Sequence, residues 1–450
     1  MNTKQLFCSL SFCGLGAILI AGNVAAETIA KPAGSTHKNS SAYKNSSKPD
    51  KNNDRAPYDA RMTKQLAAFW EERVRDEPKG GIALRELAGA YLSLGRETGD
   101  ISYAVRAEKA ARQSLEVLPV KGNAVALIRL SRSLLTQHRF PEALETADQA
   151  AVINLEAQRL RADIAIELGN RALAAEAMAK IPAEPDDLAR KKDLNYQALR
   201  AHLLESQGNW SEALALRKSA ARHSEEFADM PAETAAWYHT MVGHALIDRG
   251  QLAEGEQNCR RALEIFPLDY RAMTGLAEAA AWRENWKAAI SWGQKAIRIA
   301  PENPGVLLLL GNAHEKLGNF SESKRQYQLF EKLAASFPRI YDRQWILFSA
   351  DSKQNLGKAL ALARRDLKLR QDAGAYDALA WTCYKAGLLA EAKKTMQKAL
   401  DNGGNNASIL YHAGMIAHAS GERKQADIYF ARAKSFNPYY LKTVGLPRKS

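Results

Sequence analysis

Small and apolar residues recur along this chain with a 34-residue beat. With Gly250, Glu284 and Gly318 as anchors, and Gly387 and Gly421 as a second run, the same residue classes fall at the same offsets. Seven positions before each anchor stands a small residue: Gly243, Ala277, Gly311, Ala380 and Gly414. The position before that is mostly apolar, as in Val242, Leu276, Leu310 and Leu379. Five after the anchor comes another small residue (Gly255, Ala289, Ser323, Ala392, Ala426), and twelve beyond it Pro267, Pro301 and Pro438 recur. Small residues let two helices approach to about 8–10 Å between axes. Proline stops the second helix, and the anchor glycine suits the turn between the two. The beat therefore predicts a row of helix–turn–helix units, and no alternating strand pattern interrupts it.

Weaker copies lie upstream. Anchors at His138, Gly169 and Gly208 are followed by Ala143, Ala174 and Ala213. A first copy runs through Leu87, Ala88, Tyr91 and Gly95, with Arg96–Tyr103 reading as an insertion before Ala107 and Pro119. A degenerate copy occupies residues 352–369, its register open by a residue or two. About ten units result. A fixed period of this size means a stacked array, which lengthens its core without dividing into domains. Two irregular links, Ile181–Asp193 and Ser224–Glu233, read either as a hinge or as tolerated surface loops.

The pattern resembles the tetratricopeptide repeat over roughly residues 80–440. That resemblance implies an all-α, right-handed superhelical solenoid that holds partners and does not catalyse. The C-terminal segments Tyr376–Trp381 (YDALAW), Tyr384–Gly387 (YKAG) and Leu410–Ile416 (LYHAGMI) look similar to secreted bacterial tetratricopeptide proteins of unknown function. They imply a cell-envelope setting and bring no activity.

Outside the repeats, residues 1–26 read as a signal peptide: Lys4, an apolar run from Leu6 to Ala21, and Val24-Ala25-Ala26 before Glu27. The run is short and glycine-interrupted for a membrane helix, which needs about 20 residues. Cleavage and release into the periplasm or medium are expected, with an uncleaved anchor as the alternative. Cys13 hints at lipidation, against which the bulky Phe12 speaks. Residues 27–60, rich in Ser, Asn and Lys, have little to bury and are expected to be a disordered linker. Residues 61–78 read as a capping helix, with Leu66, Phe69, Trp70 and Val74 on one face. The solenoid is then 79–440, and 441–450 a tail. Cys259 and Cys383 lie more than three repeats apart on inward positions, too far for a disulfide.

The net charge of +13 raises the question of a nucleic-acid partner. In tetratricopeptide stacks the first helix of each pair lines the groove. Its groove positions here hold eight acids (Glu156, Asp163, Glu167, Glu205, Asp248, Glu278, Glu315, Asp377) and six bases (Arg85, Arg132, Arg159, Arg271, Lys316, Lys385). That balance suits no polyanion, so no nucleic acid is expected. The positive excess falls on second helices, at Arg260-Arg261, Arg364-Arg365, Lys393-Lys394 and Arg423-Lys424. It reads as a solvated outer face or as a weak contact with an anionic envelope surface.

Catalytic and metal signatures (CxxC, HExxH, GxxxxGK[ST], GxSxG) are missing from the chain. Ser321 in its SxxK reads as a helix cap. No enzyme activity, cofactor or metal is expected. The groove positions do carry Trp237, Trp282, Trp381, Tyr384 and Tyr411, which suit either an extended peptide or packing between first helices. His244 and Asn312 join them as candidates. Asn312 matches the asparagine of carboxylate-clamp domains, but Leu308 stands where the clamp lysine would be. The expectation is an exported scaffold that binds a peptide in its groove, or a helper in envelope assembly, secretion or polysaccharide export.

Overall fold

The computed structural model describes residues 61–446, apart from residues 155, 182–192 and 228. The expected signal peptide, the linker and most of the first irregular link lie outside the described residues. Helix α1 (Arg61–Asp76) is followed, among the described residues, by ten antiparallel helix pairs. These are α2/α3 (Gly81–Thr98, Ser102–Val117), α4/α5 (Ala124–Thr136, Phe140–Ala151), α6/α7 (Glu156–Glu167, Arg171–Ala179), α8/α9 (Leu194–Ser206, Trp210–Ser224) and α10/α11 (Ala232–Asp248, Leu252–Ile265). The second five are α12/α13 (Tyr270–Trp282, Trp286–Ile299), α14/α15 (Pro304–Lys316, Phe320–Ser336), α16/α17 (Asp342–Ser352, Leu356–Leu369), α18/α19 (Ala373–Lys385, Leu389–Asp401) and α20/α21 (Ala407–Ala419, Arg423–Phe436). A short α22 (Tyr440–Val444) closes the array.

Local chemistry sets these boundaries. The side chains of Asp193, Asp269, Asn303, Asp372 and Asn406 accept hydrogen bonds from the first free N–H groups of the helices they precede. Every turn within a pair carries a left-handed residue: Gly99, His138, Gly169, Gly208, Gly250, Glu284, Gly318, Lys353, Gly387 and Gly421. The anchors of the sequence pattern are these residues. In unit 1 the anchor is Gly99 and not Gly95, because α2 continues past Gly95 to Thr98. Much of the expected insertion is thus an extra helical turn. In unit 8 the anchor is Lys353, and a second left-handed residue, Asn355, delays α17 by one position. That extra residue, and fully buried Ile346 at the usual small position, explain why this copy looked degenerate.

The small positions are filled from the partner helix. A Cβ added to Gly311 would lie 2.4 Å from the Tyr327 ring, and one added to Gly414 would lie 2.5 Å from the Phe430 ring. At Gly243 the same atom would meet the Cys259 sulfur at 2.5 Å. Cys259 and Cys383 are buried free thiols.

The array winds so that its second half lies on its first. The turn of unit 1 meets the link after unit 6: a Cβ on Gly99 would lie 2.8 Å from that of Ala300. The turn of unit 2 meets the link after unit 7, with His138 Nδ1 3.3 Å from the Arg339 carbonyl oxygen. In unit 3 the Leu168 carbonyl accepts the Gln371 N–H at 2.9 Å. In unit 4 Asn405 donates to the Gly208 carbonyl at 3.0 Å and accepts from the Trp210 indole. In unit 5 the Asn437 amide donates to the Asp248 carbonyl at 3.0 Å. Each of these five turns therefore docks on a link five units further along, and two superhelical turns stack edge on edge. Unit 4, bracketed by the two irregular links, is fastened by this contact.

At the N-terminal end α1 packs through Ala67, Trp70 and Val74. Leu66 and Phe69, expected on that face, are 45 % and 50 % exposed. The helix carries two apolar stripes, and only one meets the stack. No helix among the described residues is long and apolar enough to cross a membrane.

Candidate functional site

The first helices bring their polar faces together around the axis of the superhelix. Two cavities open there, of ≈ 190 and ≈ 170 Å³. Met241 and His244 of α10 line both, so the two spaces adjoin at the middle of the chain. Both superhelical turns contribute walls: Glu167, His202, Glu205 and Asp248 face Arg343, Asp372 and Gly403 in the first cavity. In the second, Arg96, Arg132, Arg159 and Asp163 face Asn303 and Tyr341. Of the groove charges inferred from the register, Glu156, Asp163, Glu167, Glu205, Asp248, Arg132, Arg159 and Arg271 line these spaces.

Most of these charges are matched. Arg217 grips Glu205 with two hydrogen bonds of 2.5 and 2.6 Å, and Arg159 grips Asp193 at 2.7 and 3.0 Å. Glu233 accepts from Arg271 at 2.5 Å and from Arg96 at 3.3 Å, tying unit 1 to units 5 and 6. His202 sits 3.1 Å from Asp163 and 3.6 Å from Glu167. Two carboxyls are less well served. Burial, reinforced by the neighbouring Glu278 carboxylate, pushes the Asp248 carboxyl up to about 7. Burial also raises the Glu167 carboxyl above the usual range. His244 is held by the Arg271 carbonyl at 3.0 Å and Glu278 at 3.3 Å; burial opposes its charging, but Glu278 outweighs it and the imidazole pKa is raised.

The seven residues singled out by sequence divide into two groups. All lie on first helices. Trp237 lines the second cavity and His244 lines both. Trp282, Trp381, Tyr384 and Tyr411 instead form a closed aromatic cluster. Trp381 stacks on Tyr384 at 5.1 Å and on His412 at 3.9 Å, and its indole donates to Asp351 at 2.8 Å. Tyr440 of α22 lies 5.8 Å from both Trp282 and Tyr411. The chain's own C-terminal helix thus fills the aromatic stretch of the groove. Trp237, Trp282, Trp381 and Tyr411 are all buried, where exposed rings were one of the two expectations. Asn312 is 2 % exposed and accepts the Tyr327 hydroxyl at 2.6 Å, within its own unit.

Three interior arginines were not legible in the register. Arg96 and Arg343 reach the interior from the extended end of α2 and from unit 8, whose registers were blurred. Arg217 comes from the second helix α9. On the convex side the basic doublets are exposed but partly neutralised, as in Arg364–Glu391 at 2.9 Å and Arg261–Glu225 at 2.5 Å.

Residues 241–304, spanning units 5 and 6, match the tetratricopeptide repeat family. This chain carries tetratricopeptide repeats. It is similar to tetratricopeptide repeat protein 21A of Mus musculus, 24 % identical over 239 residues, which is 52 % of this chain and 16 % of that one. It is also similar to the cell division cycle protein 27 homolog of Caenorhabditis elegans, 36 % identical over 75 residues, covering 17 % of this chain and 10 % of the relative. The repeat protein thus spans less than a fifth of the length of these curated relatives. Among solved structures, the APC/C hetero-tetramer Cut9-Hcn1 aligns with 85 % of this chain and 93 % of that one, at 15 % identity and a TM-score of 0.34.

Proposed function

We propose that this repeat protein is an exported interaction scaffold that takes an extended segment of another cell-envelope protein into its axial cavities. The observation that carries the proposal is the pair of adjoining cavities walled by both superhelical turns and meeting at Met241 and His244. Their size suits side chains of a peptide and not a folded domain. The raised carboxyls of Asp248 and Glu167 favour a segment bearing a lysine or arginine, because an entering cation would stabilise both as carboxylates. Repeats of this family in proteins that bind proteins support the class of function, and the N-terminal signal pattern supports export.

The test is site-directed photocrosslinking. A photoreactive residue at Met241, inside, is expected to trap a partner that the same residue at exposed Val105 does not. Fractionation of the cells places the adduct in the envelope or outside it. Equal adducts from both sites, or none from Met241, overturn the axial site; an adduct confined to the cytoplasm overturns export. Alanine at Trp381 is unsuited to this purpose, since removing so buried a ring costs about 3–5 kcal/mol of stability.

A further inference from the structure

The edge-on-edge contact that joins the two superhelical turns leaves two matching edges unused. Turns of units 1–5 are covered by links of the second superhelical turn. Among the described residues, the turns of units 7, 9 and 10 stand open: a Cβ added at Gly318, Gly387 or Gly421 would meet no atom within 4 Å. The residue two positions after the anchor shows the difference most clearly between units 2 and 7. In units 1, 2 and 5 it is Ile101, Phe140 and Leu252, all buried, and in units 3 and 4 it is Arg171 and Trp210, both half-buried. Phe140 lies beneath the Arg370 guanidinium, 4.9 Å from its ring centre, and stacks on His138 at 5.1 Å. One superhelical turn later, at the same position of unit 7, stands Phe320, 67 % exposed. Leu317 and Leu388 are exposed on the same ledge.

Among the described residues of the opposite edge, formed by the links of the first superhelical turn, apolar side chains are exposed in a complementary way. Val120, Val152 and Ile153 are exposed there, Val152 by 85 %. The five-unit offset that pairs turn with link inside the chain would pair the unit 7 turn with the link after unit 2 of another copy. Phe320 and Leu317 would then meet Val152 and Ile153.

We infer that this ledge docks on the first-turn links of a second copy of the chain, continuing the superhelix head to tail. The two surfaces differ, so the contact is heterologous and does not close on itself. The inference stands independently of the axial cavity and holds whether or not a peptide enters it.

The experiment is sedimentation of the full chain over a concentration series, with Phe320→Asp and Val152→Asp as variants. Both side chains are exposed, so both variants are expected to keep the wild-type circular dichroism and melting temperature. The wild type is expected to grow past a dimer as concentration rises. Each variant alone stays monomeric. An equimolar mixture of the two forms dimers and stops, because each contributes its one intact edge. A wild type that stays monomeric, or stops at a dimer, overturns the inference. So does a mixture without dimers. Assembly that persists in either variant alone also overturns it, and would place the contact elsewhere, such as the N-terminal apolar segment that both variants retain.

Discussion

The carboxyl of Asp248 shows how one side chain carries the strain of a polar interior. It lies near the end of α10, where helix carbonyls face it, and Glu278 adds a like charge. In the unfolded chain this group titrates near 3.8, and in the fold at about 7. The folded state therefore holds the proton more tightly, and stability falls as pH rises from about 4 to about 7, then levels. Asp248→Asn removes that slope. The variant is expected to match the wild type in urea at pH 4 and to exceed it at pH 8; an equal difference at both values would count against a raised Asp248. The Gly311–Tyr327 and Gly414–Phe430 pairs make a second residue-scale point. The beat showed that something small stands there, but the ring it accommodates lies on the partner helix, and only packing reveals it.

Among the elements, the within-pair turns are built alike and loaded differently. All ten carry a left-handed residue, but Gly169 also lies under the next superhelical turn, where a Cβ would come 2.5 Å from the Gln371 carbonyl carbon. Gly387 has open space. Gly387→Ala should cost only the left-handed backbone penalty, about 1–2 kcal/mol. Gly169→Ala should cost about 1–3 kcal/mol more, from overlap with backbone that cannot rotate away. Chemical denaturation of the two variants measures the gap, and equal losses would mean that the turn-on-link contact carries no load. Helix pairing was legible from the sequence because each pair obeys local rules. Unit 1 hid its turn because α2 runs one helical turn further, and unit 8 hid its register behind Ile346 and an additional turn residue. The capping helix showed both its apolar stripes at once, and nothing local tells which one the stack will use.

For the whole molecule, nearest-neighbour stacking is only part of the cohesion. A simple solenoid holds each repeat by its neighbours alone. Here Asn405 and Asn437 tie units 4 and 5 to the far end of the chain. Replacing both by alanine leaves the Gly208 and Asp248 carbonyls without these donors, at about 1–3 kcal/mol each if water does not reach them. Small-angle scattering of the double variant should show a larger radius of gyration, with an earlier urea transition. Unchanged scattering and unfolding would mean that the turns hold together without these amides.

By itself the sequence determined the helix pairs, their number, the small contacts between them and the mixed charge of the inner face. All of these follow from spacing along one chain segment and its immediate neighbour. Tertiary structure alone decided the winding. Whether the second superhelical turn clears the first or rests on it depends on small rotations accumulated over five units, which no single repeat encodes. That winding buries Phe140 and leaves Phe320 bare. It also brings Tyr440 against Trp282, so that aromatics in a similar register became cavity wall in Trp237 and packed core in Trp381.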